Sequence, residues 1–78
     1  MNYDLALMAL EGLARSPMTV HVENGEVVIE AEAASFKELA RLCLLLGSAH
    51  SNEDAFELGR GVHVDGASLA LRLRLREE

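Results

Sequence analysis

The chain has 78 residues, room for a single domain spanning 1–78 that buries only about 60% of the surface its unfolded form exposes. Seven basic residues against thirteen acidic ones give a net charge of −6, which provides no basic footprint for DNA or RNA and favours a basic protein as partner. The lone cysteine, Cys43, excludes an internal disulfide, and no apolar run approaches the roughly 20 residues that a membrane-spanning helix needs.

Asn2 stands as a cap before a first helix carrying Leu5, Leu7, Leu10 and Leu13, and Ser16 with Pro17 ends it. Residues 18–23 and 26–33 alternate around Asn24-Gly25, a dipeptide that tolerates the positive φ angles of a tight type I′ hairpin. A two-residue turn sets Val22 against Val27 and Val20 against Ile29 on the core face, with His21 against Val28 and Thr19 against Glu30 on the other. Ser35 with Glu38 three positions on reads as a capping box, opening a helix of Phe36, Leu39, Ala40, Leu42, Cys43 and Leu46 that Gly47 ends. Within that leucine-rich run Cys43 reads as a buried small hydrophobe. With no secretory leader, the expected setting is the reducing cytoplasm.

Residues 48–58 are polar and acidic, and read as a loop with one local helical turn capped by Ser51 and Asp54 and bearing Ala55 and Phe56. From 61 to 76 the pattern predicts a second hairpin about Asp65-Gly66, because Val62, Val64, Leu69, Leu71, Leu73 and Leu75 alternate with polar residues. The fold class is therefore α+β, in the order helix, strand, strand, helix, strand, strand. Its expected form is one four-stranded, mainly antiparallel sheet with both helices on one face. Glu30 and Glu32 facing Arg72 and Arg74 favour the strand order 1-2-4-3. The other order, 2-1-3-4, brings His21 near His63.

Side chains able to carry chemistry are few. His21, His63 and Asp65 are suitable metal ligands, but their spacing is not that of a metal motif. His63, Ser68 and Asp65 supply a base, a hydroxyl and a carboxylate without a nucleophile elbow or an oxyanion site. Gly59-Arg60-Gly61 starts like a dinucleotide fingerprint, yet Val64 stands where the third glycine belongs. No catalytic residue, metal site or cofactor is therefore assigned, and the expectation is a protein that is not an enzyme. The row Arg72, Arg74, Arg76 lacks the interleaved aromatics of a nucleic-acid platform, since Tyr3, Phe36 and Phe56 read as packing residues.

The segment Ser35-Phe36-Lys37-Glu38-Leu39-Ala40-Arg41-Leu42, then Gly61-Val62-His63-Val64-Asp65, then the terminal alternating strand, resembles small bacterial immunity proteins of polymorphic-toxin systems. The resemblance covers roughly the last half of the chain. It implies a non-catalytic protein that binds and blocks a toxin, and the acidic charge suits a basic one. The surface residues expected to meet such a partner are Glu53, Asp54, Glu57 and His63. The alternative is a homodimeric small-ligand or metal-binding protein, drawn from the paired Val-His-Val segments and the leucine excess.

Leu42, Leu44, Leu45 and Leu46 surround most of the second helix, although one face of a sheet needs only a single apolar stripe. Arg41 marks the solvent side, so Leu44 and Leu45 are expected there as the centre of a homodimer interface. Residues 48–58 are the other candidate cover.

Overall fold

The computed structural model describes residues 2–48 and 55–76. Its elements run α1 (Asn2–Arg15), β1 (Thr19–Glu23), β2 (Glu26–Glu30), α2 (Ala33–Leu46), β3 (Ala55–Leu58) and β4 (Leu71–Arg74). The class is α+β, as the sequence predicts, and the first four elements follow the predicted order. None of the described helices is long and apolar enough to cross a membrane.

Small side chains bring the helices together. The buried stripe of α1 is Ala6, Ala9 and Leu13, at helical spacing, while Leu5, Leu7 and Met8 stay largely exposed. The Glu38 side chain of α2 lies against Gly12: a Cβ placed there would lie 2.9 Å from Cγ of Glu38. The junction after α1 is held by two serines. Ser35 Oγ donates to the carbonyl of Ser16 at 2.7 Å, and Ser16 Oγ donates to Glu32 Oε1 at 2.8 Å. These bonds replace the predicted capping box. Because α2 begins at Ala33, its cap residue is Glu32, Ser35 is buried inside the first turn, and Glu38 pairs instead with Arg41 at 2.6 Å.

The first hairpin has the predicted register, pairing Val22 with Val27, Val20 with Ile29, His21 with Val28 and Thr19 with Glu30. Asn24 and Gly25 take φ of 52° and 81°, the left-handed pair that a type I′ turn requires. Only the root of the hairpin meets the core. Val20 is buried, whereas Val22 and Val27 near the turn are 58% and 66% exposed.

The second half departs from the sequence reading. Among the described residues there are two two-stranded antiparallel sheets, β1-β2 and β3-β4, not one four-stranded sheet. No hairpin turns about Asp65-Gly66. Residues 55–58, read as loop with local helix, form β3, which pairs Phe56 with Leu73 and Glu57 with Arg72. Ser51 and Asp54, the expected caps, lie outside the described residues. The carbonyl of Gly59 accepts from the N–H groups of Val62, His63 and Val64, and Gly61 adopts φ of 81°, so the chain coils up where a strand was expected. It then runs along the outer edge of β1. Met18 N–H donates to the His63 carbonyl (3.0 Å), Asp65 N–H to the Met18 carbonyl (2.7 Å) and Leu69 N–H to the Val20 carbonyl (2.8 Å). Val20 N–H donates to the buried Ser68 Oγ at 3.1 Å. Arg72 pairs with Glu57 in place of Glu30 or Glu32, and the order 1-2-4-3 is not formed within the chain.

The core gathers Leu13, Met18, Val20, Leu42, Phe56, Leu58 and Val64 from all of these segments. Phe56 packs as expected, whereas Phe36 is 42% exposed. Cys43 is also exposed, which corrects its reading as a buried hydrophobe.

Two stability measurements follow from this packing. Ser68→Ala leaves the Val20 N–H buried without an acceptor and should lower unfolding free energy in urea by about 1–3 kcal/mol; an unchanged midpoint would show that water replaces the hydroxyl. Gly12→Ala should realise its helix-propensity gain of about 1 kcal/mol only when combined with Glu38→Ala. Additive single and double variants would show that the approach at Gly12 imposes no constraint.

Candidate functional site

His63, Ser68 and Asp65, which the sequence singles out, are committed to the backbone. His63 is half-buried, and its Nδ1 accepts from the Gly59 N–H at 3.3 Å. Burial holds its pKa below the ordinary 6.5, so the ring is neutral, as an accepting nitrogen must be. Ser68 Oγ accepts from Val20 N–H, and Asp65 Oδ1 accepts from Ala67 N–H at 3.2 Å. Each member of the nominal triad therefore tethers a different stretch of chain. Without a second hairpin, His63 and Ser68 are not set opposite one another. His21 Nε2 lies 2.6 Å from Glu23 Oε2 on its own strand. Among the described residues no three His, Cys, Asp or Glu side chains converge as a metal site requires.

Glu53 and Asp54 lie outside the described residues, Glu57 is held by Arg72 across the β3-β4 pair, and His63 serves the coil that Gly59 organises.

An apolar groove between the helices was only half legible. It has a volume of about 240 Å³ and is lined by Leu5 of α1 with Arg41, Leu44 and Leu45 of α2. Leu44 is 74% exposed but Leu45 only 9%, so Leu45 belongs to the core and does not project into solvent as expected. Helical geometry explains the split. Four residues turn an α-helix through one revolution plus about 40°, which carries Leu45 from the Arg41 direction towards Leu42 and Leu46. Three residues fall short of a revolution by about 60°, which carries Leu44 the other way. The groove thus has an exposed leucine on each wall, and the Arg41–Glu38 ion pair involves one of its lining residues. No family model, curated protein or solved structure matches the chain.

The lowered pKa of His63 makes stability depend on pH with a definite sign. Above 6.5 both folded and unfolded forms are neutral. As pH falls through that value the unfolded chain takes up a proton that the folded ring resists, and stability is lost. The urea-unfolding free energy should therefore drop more between about pH 7.5 and 5.5 for the wild type than for His63→Asn, whose side-chain oxygen keeps an acceptor for Gly59. Parallel profiles would rule His63 out as the titrating group.

Proposed function

We propose that this chain is a non-catalytic protein-interaction module of the bacterial immunity kind, an acidic inhibitor that binds and blocks a basic toxin. The observation that carries this reading is the open groove between α1 and α2, where Leu5 and Leu44 face solvent beside Arg41. Apolar side chains in a concavity, within a protein of net charge −6, supply both parts of a protein-binding surface. The apolar contact contributes affinity, and the net negative charge of the chain favours the approach of a cationic partner. Commitment of His63, Asp65 and Ser68 to backbone hydrogen bonds agrees with a role that demands no chemistry. Glu53, Asp54 and Glu57 belong to this reading as contributors to the negative field.

Leu44 is the position to test, because its exposure lets a charge be introduced without disturbing the core. A bait carrying the wild-type chain should capture a basic protein from lysate of the source cells, and Leu44→Glu should reduce that capture by at least about tenfold. Expressed alone, the captured protein should arrest growth, and co-expression of this chain should restore it. Equal capture by both baits would remove the groove from the interface. A captured protein whose expression leaves growth unaffected would end the immunity reading.

A further inference from the structure

Among the described residues both sheets end on strands with an unused edge. Among the described residues β2 pairs only with β1, and β4 only with β3. On β1 the outward peptide groups are those of Met18 and Val20, which bind residues 63–69. Antiparallel alternation then turns the peptide groups of Val27 and Ile29 away from β1 along the free edge of β2. Exposed strand edges of this kind pair readily with another strand unless something blunts them.

The two edges match each other in charge and in the placement of their apolar side chains. On β2 the face away from the core carries Glu26, Val28 and Glu30, and the core side carries Val27 and Ile29. Arg72 and Arg74 occupy the outer face of β4, with Arg76 continuing the alternation beyond it, while Leu71 and Leu73 face inward with Phe56 and Leu58. A second β2 laid antiparallel on β2 with Val28 opposite Val28 would set Glu26 against Glu30. Like charges directly opposite are unfavourable. Pairing β2 with β4 of another molecule has the reverse character.

We infer that two copies of this chain complete each other's sheets, β2 of each adding to β4 of the other about a two-fold axis. With Glu30 opposite Arg72 of the second copy in antiparallel register, Arg74 of that copy lies diagonally between Glu26 and Glu30, and Glu26 meets Arg76. On the inner face Val27 meets Leu75 and Ile29 meets Leu73. Val27 and Leu75, which are 66% and 50% exposed in the single chain, are thereby covered. The symmetry makes the contact twice and closes the assembly, so it does not propagate into a fibre. This inference is independent of the groove between the helices and stands whether or not a toxin binds there.

Two charge-reversed variants, Glu26→Arg and Arg74→Glu/Arg76→Glu, test the pairing, with Arg72 left intact because it holds Glu57 and Glu30 left intact because it faces Arg72. Light scattering after size exclusion at micromolar concentration should give twice 8.5 kDa for the wild type. Each variant alone should give the single-chain mass while keeping its circular dichroism spectrum. An equimolar mixture of the two should regain the doubled mass, because each directly opposed pair of charges, position 26 with 76 and position 30 with 72, is again of opposite sign in the mixed pair. Val27→Asp, a change at an exposed site, should also give the single-chain mass. A monomeric wild type, variants that remain dimeric alone, or a mixture that stays monomeric would each overturn the inference. A dimer broken by Leu44→Glu but indifferent to the charge reversals would overturn it in favour of the helical face.

Discussion

The strip of hydrogen bonds along the outer edge of β1 is the contact on which the rest of the structure depends. Two short hairpins and two helices do not by themselves enclose a core, and an isolated two-stranded hairpin is marginal in water. Here the Met18 and Val20 peptide groups take partners from residues 63–69. That seats Val64 and Ser68 against β1 with almost no solvent exposure, and so joins the C-terminal half to the N-terminal half. Ser68 is used at this seam as an acceptor. Its hydroxyl does for Val20 what a neighbouring strand's carbonyl would have done.

That seam depends in turn on the coil at residues 59–64. Three N–H groups converge on the Gly59 carbonyl and Nδ1 of His63 takes the Gly59 N–H, which accounts for the local polar groups while reversing the chain. Gly61 supplies the one left-handed φ the coil needs, a conformation that a side chain with a Cβ adopts only under strain. The histidine that invites a catalytic or metal-binding reading is thereby a conformational device. Its neutrality is what makes it fit.

Helix packing leaves apolar surface over. Because α1 contributes Ala6 and Ala9 to the interior beside Leu13 and sets Gly12 against the Glu38 side chain, Leu5, Leu7 and Met8 are left on the outside. The same division occurs on the hairpin, whose root is buried and whose tip is not. Such surface suits a protein that works by contact. Both the proposed groove and the proposed strand edges arise from it, one between the helices and the other where the two sheets stop.

Some of this was written in the residue order. Asn24-Gly25 determined the first hairpin down to its register, because a two-residue turn with two positive φ angles allows only one pairing. Ser16-Pro17 and Gly47 mark where the two helices end, and the alternation of Leu71 to Arg74 required a strand. The rest was decided by tertiary contacts. The short Phe56-Glu57-Leu58 alternation became a strand only because Leu71, Arg72 and Leu73 lay opposite it, whereas the equally short alternation at Val62 to Val64 was overruled by the coil around Gly59. Ser35 reads locally as a cap, yet the Ser16 carbonyl drew it into the interior. Leu44 and Leu45 are neighbours of one chemical type, and what separates them is the angle at which α2 meets the core. Local sequence settles conformations whose energies are local, such as turns and helix ends. Which strand edges meet, and which leucine faces water, depends on partners far along the chain that only the assembled structure brings into reach.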